Sequence, residues 1–199
     1  MIIRSHKIAV VGVGGAGQNM VDYLKSNGLN APYDVRYIAA NSDWKSLERC
    51  QADILLPLGA KSFNGIGTNG NVRLGQECAI QSRESILSTL IPWRQIFIVA
   101  GLGGGTGTGA TIEIARMSDE LSATTVVLVT LPFSFEGKKR TRSADEGLTA
   151  LREITDATIA LPNEWLRGLA SSHSIMREMF DLSNEYIRQV IQGLVNLSW

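Results

Sequence analysis

The stretch Gly101-Leu102-Gly103-Gly104-Gly105-Thr106-Gly107-Thr108-Gly109-Ala110 carries six glycines and two threonines in ten residues. A loop with so little side-chain bulk can fold its backbone N–H groups around an oxyanion, and the two threonine hydroxyls add further donors. It lies between a β-branched run, Gln95 to Ala100, and a helical pattern from Thr111 to Leu121. The start of that helix offers unpaired N–H groups and the positive end of its dipole to the same anion. No lysine stands in the loop, so it is not the GxxxxGK[ST] phosphate loop. Phosphate binding then rests on main-chain donors and hydroxyls, with room for Mg²⁺ to share the charge; no protein ligand set for a metal is assigned.

A second glycine run, Gly12-Val13-Gly14-Gly15-Ala16-Gly17, follows a strand and opens a helix. It fits the dinucleotide-binding pattern GxGxxG literally. That pattern also wants an acid at the end of the second strand to hold a ribose. Here Asp34 precedes that strand and Asp43 falls two residues beyond Asn41, in a polar turn. Two glycine loops on adjoining strand ends suit a compact polyphosphate gripped from several sides. A third glycine-rich connection, Gly65 to Asn71, reads either as a mobile surface loop or as a flap over the terminal phosphate. Asn41-Ser42-Asp43 can cap a helix, touch phosphate or Mg²⁺, or do both. Glu136, beside the charge run Lys138-Lys139-Arg140, is suited to accept from ribose hydroxyls, and Arg140 to reach the sugar or base. The amides of Asn163 and Asn184 can each pair with a guanine edge or serve as caps and turn formers. His6 and His173 are isolated, and no nucleophile–base–acid constellation is visible.

These loops need a scaffold, and the chain supplies one. Short β-branched runs (Ile8–Val11, Val35–Ala40, Asp53–Leu58, Ile96–Ala100, Thr125–Thr130, Thr155–Leu161) alternate with helical patterns at Gln18–Ser26, Val72–Leu90 and Ser174–Ser198. Strands apolar on both faces and separated by helices predict an α/β three-layer sandwich around a mostly parallel sheet. Ligands in such sheets bind beyond the carboxyl ends of the strands, where the glycine loops fall. The last helix predicts a buried stripe of Met176, Met179, Phe180, Ser183, Tyr186, Ile187, Val190, Ile191, Leu194 and Leu197.

Length fits one domain over residues 1–199. Nineteen basic residues balance nineteen acidic ones, so no global field favours nucleic acid or a membrane surface. Cys50 and Cys78 lack metal-site spacing and read as reduced packing residues of a cytoplasmic protein. No apolar run approaches the roughly 20 residues that span a bilayer, so direct membrane insertion is not expected.

Taken together these motifs resemble the tubulin and FtsZ superfamily, and bacterial FtsZ more than eukaryotic tubulin. Gly103 to Gly109 (GGGTGTG) is the superfamily's characteristic loop. Gly12 to Asn19 is similar to its first phosphate loop, Ala40 to Asp43 to its second and Gly65 to Gly75 to its third. Pro132 to Arg140 is nearly PFxFEGKKR, and Leu161 to Glu164 resembles IPND. The likeness runs from about Lys7 to Leu197 and implies a Rossmann-like domain that binds GTP or GDP and ends in a long central-type helix. By this resemblance Gly14, Gly15, Ala16, Gly17 and Gln18 line the phosphates with Asn19 nearby. Asn41 and Asp43 belong to the second loop, and Gly103, Gly104, Gly105, Thr106, Gly107 and Thr108 hold the terminal phosphates. Glu136 takes the ribose, Arg140 the sugar and base, and Asn163 and Asn184 the guanine.

In the family, an acidic loop and a second domain follow the central helix, and GTP is hydrolysed between subunits. The present sequence stops where that helix stops, so either a natural short protein or a piece of a longer one is at hand. The resemblance therefore implies a guanine-nucleotide-binding protein that self-associates or joins FtsZ-type filaments, linked to cell division, with slow GTP hydrolysis on its own. A nucleotide-loaded cap of such filaments is the alternative, and an NAD-dependent oxidoreductase a remote one.

Overall fold

The computed structural model describes residues 7–31, 34–60, 65–168 and 176–197. Six strands, β1 (Ile8–Val13), β2 (Val35–Asn41), β3 (Ile54–Pro57), β4 (Gln95–Gly101), β5 (Thr124–Leu131) and β6 (Ala157–Pro162), form one sheet in the order β3-β2-β1-β4-β5-β6. All five pairings are parallel. This is the three-layer α/β sandwich that the alternating pattern predicts.

The central strands read as unbroken apolar runs because both faces are covered. In β1, Ala9, Val11 and Val13 face one core while Ile8 and Val10 face the other. In β4, Ile96, Ile98 and Ala100 separate in the same way from Phe97 and Val99. Side chains alternate faces with a period of two, so each strand feeds two cores at once. One core is closed by α3 (Val72–Gln81), α4 (Arg83–Leu90), α5 (Thr111–Glu120) and α6 (Lys138–Ile154), the other by α1 (Gly14–Asn27), α2 (Trp44–Leu47) and α7 (Met176–Leu197).

Two expectations change. The helical pattern from Val72 to Leu90 is two helices, broken at Ser82 (φ −96°, ψ 13°). Buried Ser82 accepts the Gly59 N–H on its hydroxyl at 2.9 Å, and its own N–H bonds back to the Ala79 carbonyl at 3.0 Å. That tertiary bond holds a turn that apolar periodicity does not register. On α7 the buried face comprises Ser183, Asn184, Ile187, Ile191 and Val195. Met176, Phe180, Tyr186 and Leu197 of the predicted stripe are instead exposed. The apolar arc of α7 is wider than the strip that α1 and the sheet cover. His6 and His173 lie outside the described residues. Cys50 and Cys78 are buried and unbridged.

Candidate functional site

Strand β1 ends at Val13, and the chain turns into α1 through Gly14, whose φ of +71° is costly for any residue with a Cβ. Val13 at the N-cap has an extended backbone, no side-chain cap bond reaches the helix, and no acid stands in its first turn. The first N–H groups of α1 are therefore left without a cap side chain. Across from them β4 ends at Gly101, and Thr106–Ala110 forms a π-helical turn that runs into α5. The residue before that turn is Gly105, which again has no side chain to cap it. Two uncapped helical starts thus open from neighbouring strands at the same sheet edge.

They open onto a cavity of about 760 Å³ whose walls include Gly15, Ala16, Asn41, Asp43, Gly104, Gly105, Thr106, Gly107, Glu136, Arg140 and Asn163. A second cavity of similar size, between α1 and α7, has Asn19 and Asn184 on its walls. The two share Ala16, Thr130 and Phe180 and form one cleft. Sheet order arranges the cleft along one axis. Asn41 ends β2 and Asp43 follows it, the amides of Gly15 and Ala16 follow β1, and the glycine run follows β4. Glu136 and Arg140 follow β5, and Asn163 follows β6.

Five residues expected at the nucleotide lie behind this lining. Gly14 backs onto Gly107, where a Cβ would meet the Gly107 nitrogen at 2.8 Å, and Gly17 backs onto the Val99 carbonyl. Gln18 is buried, donating its amide to the Ser46 carbonyl at 3.1 Å and accepting on its carbonyl oxygen from the Asn41 amide. Thr108 is fully buried, and its hydroxyl accepts the N–H of Gly103, which is buried behind the lining with it, at 2.8 Å. These groups shape the cradle from within.

The remaining polar groups are tied together. Asp43 caps α2, its Oδ1 accepting the Ser46 N–H at 3.0 Å, and still reaches the cavity wall. Glu136 accepts the Phe133 N–H at 2.8 Å on Oε1 and pairs through Oε2 with the Arg140 guanidinium. Asn163 is buried, and its Oδ1 receives the Ser183 hydroxyl at 3.4 Å. The loop from Gly65 to Asn71 is pinned rather than loose. Trp44 N–H donates to the Gly65 carbonyl at 3.0 Å and Gly67 N–H to the Ser42 carbonyl at 3.1 Å, making a short antiparallel bridge between Asp43 and Ile66. Among the described residues no group of three His, Cys, Asp or Glu side chains is gathered for a metal.

Phe180 was assigned to the core by periodicity, yet its half-exposed ring lines both cavities one helical turn before Asn184. Its edge packs on Phe133, with ring centroids 6.0 Å apart. The i, i+4 spacing of Phe180 and Asn184 is the signal that could have joined them on one helix face. Thr68 was likewise missed: it is buried in the third loop and reaches Thr106.

A cradle lined by main-chain groups, with the Glu136 carboxylate and the Asn163 and Asn184 amides beyond it, places the chain in a class: parallel α/β domains whose loops meet in a cavity at one sheet edge. Strand order alone does not settle the type, because dinucleotide folds share it. At the end of β2, however, where such a fold needs an acid, stands Asn41, already bonded to Gln18. Residues 7–171 match the Tubulin/FtsZ family, GTPase domain, and the chain belongs to that family. It is similar to FtsZ of M. jannaschii, solved as an empty dimer, at 38% identity over 96% of this chain and 55% of that one, with a TM-score of 0.88. CetZ2 from Haloferax volcanii, solved as a protofilament with GTPγS bound, matches at 26% identity over 95% of this chain and 58% of that one (TM-score 0.82). CetZ1 from the same organism, solved as a monomer with GDP bound, matches at 25% identity over 92% and 58% (TM-score 0.78). The chain thus spans a little over half the length of these solved relatives.

Proposed function

We propose that this chain binds GTP and GDP in the cleft described above and works as part of an FtsZ-type filament. The observation that carries this reading is the meeting of two uncapped helical starts in one cavity, with Glu136 and Asn163 on its wall and Asn184 on the wall of the adjoining one. The phosphates accept from the first-turn amides of α1 and from the Gly104–Gly107 amides. The Glu136 carboxylate keeps lone pairs free for the ribose hydroxyls while Arg140 screens its charge. The base enters beside the Phe180 ring, and the two asparagine amides read its edge. A micromolar complex requires about 8 kcal/mol. Several charge-assisted hydrogen bonds of roughly 1.5–3 kcal/mol each supply that before the costs of association.

Mg²⁺, when present, neutralises phosphate charge. Beside the phosphate oxygens, Asp43 on the cavity wall is the carboxylate that would be available to it. Hydrolysis by the isolated chain is slow in this reading, since both carboxylates on the wall are engaged. Asp43 holds the start of α2, and Glu136 holds Phe133 and Arg140. Positioning of water is a central demand of phosphoryl transfer; in this reading Asp43 is given to α2 and Mg²⁺ and Glu136 to Arg140 and the ribose, so neither positions the water. The cellular setting proposed is a cytoplasmic filament linked to division; no helix among the described residues is long and apolar enough to cross a membrane.

Calorimetric titration with GTP, GDP, ATP and NAD tests the reading. Binding of the two guanine nucleotides, with at least tenfold weaker binding of the others, is expected; no heat with either guanine nucleotide overturns it. Sedimentation with a full-length FtsZ then separates a filament subunit, which co-pellets in proportion, from a cap, which shortens filaments at low molar ratio.

A further inference from the structure

We infer that Asn69 is a self-modifying site: its side chain deamidates through the Gly70 nitrogen and so adds a negative charge to the wall of the cleft. The sequence holds three Asn-Gly pairs, Asn27–Gly28, Asn64–Gly65 and Asn69–Gly70. The main-chain nitrogen after an asparagine is the nucleophile of this reaction, and glycine leaves it uncrowded. Asn64 lies outside the described residues. The other two pairs are held in opposite ways. Asn27 ends α1 with its Nδ2 donating to the Tyr23 carbonyl at 2.9 Å, and the Gly28 N–H is bonded to the Leu24 carbonyl at 2.8 Å. Asn69 is exposed, and among the described residues neither its side-chain amide nor the Gly70 N–H has a hydrogen-bond partner.

Thr68 to Asn71 form a type I′ turn. The Asn71 N–H reaches the Thr68 carbonyl at 2.9 Å, and both central residues are left-handed, Asn69 at φ +46° and Gly70 at φ +75°. The bonds that pin this loop, from Trp44 to Gly65 and from Gly67 to Ser42, stop short of the turn. A Cβ built on Gly70 would meet nothing within 4 Å, so the peptide joining Asn69 to Gly70 has open space in which to rotate. Rotation about the Asn69 Cα–C bond brings the Gly70 nitrogen onto Asn69 Cγ. At this turn the movement costs the single bond that spans it. At Asn27–Gly28 the same movement unwinds the end of a helix.

The bond changes balance without a redox partner. The Gly70 nitrogen gives up its proton and bonds to Asn69 Cγ, and Nδ2 departs as ammonia. The five-membered imide so formed takes up one water at either of its carbonyls. One opening yields aspartate; the other yields isoaspartate, in which the main chain runs through the side chain. Either product is a carboxylate at a position that lines the cavity with Gly104, Gly105 and Thr106. Its effect on ligand rests on the nucleotide reading above: a new anion on this wall repels the phosphates across the cavity. The chain thus carries a slow, irreversible change that lowers its affinity with age.

The test ages the folded chain at mildly alkaline pH and follows amide-to-acid conversion by peptide mass spectrometry, with fragment ions separating Asn69 from Asn27 and Asn64. Asn69 is expected to convert at least about tenfold faster than Asn27 in the folded chain, and within about threefold of it in urea. No conversion at Asn69, or equal rates at the two sites in the folded chain, overturns the inference. A contrast that persists in urea places its cause in the flanking residues and removes the role of the turn. GTP titrations then read the charge. Asn69→Asp is expected to bind GTP at least about threefold more weakly than wild type, with the gap narrowing as salt is added, and Asn69→Gln to stay within about twofold. Equal binding by Asn69→Asp and wild type strikes the effect on ligand and leaves the nucleotide reading intact. If wild type binds no guanine nucleotide, that reading falls, and the mass measurement still decides the modification.

Discussion

Gly75, in the first turn of α3, lies so close to Gly105 that a Cβ built on it would stand 2.2 Å from the Gly105 carbonyl oxygen. Backbone meets backbone there, and nothing flexible can yield. The contact seats α3 against the phosphate cradle and keeps the third loop beside the glycine run. Gly75→Ala is expected to cost about 1–3 kcal/mol of stability, as overpacking does. It should also weaken nucleotide binding by displacing Gly105, and urea unfolding with parallel GTP titration checks both effects.

Thr108 holds the cradle from behind. Its hydroxyl is the acceptor for the Gly103 N–H, at a glycine with φ of +101°. Thr108→Val fits the space and strands that N–H in a buried setting, at a cost of about 1–3 kcal/mol. Thr108→Ser keeps the acceptor and should recover most of the loss. Thermal melts of the two variants against wild type decide the matter; equal melting of valine and serine variants would count against this role.

Glu136 is assigned to the ribose, which predicts a coupling rather than a simple loss. Wild type should prefer GTP over 2′,3′-dideoxy-GTP by about tenfold, the worth of charge-assisted bonds to a carboxylate. Glu136→Gln should shrink that preference to within about threefold. An unchanged preference in the variant removes Glu136 from the sugar contact.

Glu185 ties α7 to α1 through Tyr23, whose hydroxyl donates to Oε2 at 3.1 Å. Bonds from Arg188 at 2.7 Å and Gln189 at 2.9 Å also reach its carboxylate and hold the pKa down at about 2, below the ordinary glutamate value. A carboxylate depressed on folding contributes stability that is complete above its unfolded pKa and is lost as pH falls through the folded one. The advantage of wild type over Glu185→Gln should therefore be constant above pH ~5 and shrink towards pH ~2. Urea midpoints measured across that window check the direction.

Much of this was legible in residue order. Strands that must feed two cores show themselves as uninterrupted apolar runs, so the parallel sheet could be read from Ile8–Val11 and Ile96–Ala100. The glycine runs marked the edge where the cavity opens, because a parallel α/β sheet puts its loops where such runs end strands. What escaped reading depends on contacts between distant segments. The break at Ser82 is set by Gly59, and the pinning of the third loop by Ser42 and Trp44. The inward turn of Thr108 is invisible in a run whose neighbour Thr106 faces the cavity. Phe180 was misplaced because helical spacing tells which residues share a face but not what that face meets.

The bare first turn of α1 has a consequence for the protein's history in a cell. A helix whose leading amides are left without a cap borrows its missing partner from solution, so occupancy and endurance become a single variable. At ligand concentrations 100 times the dissociation constant the loan amounts to about 2.7 kcal/mol. If guanine nucleotide is that partner, as proposed, a fall in the guanylate pool would leave the chain more open to proteolysis.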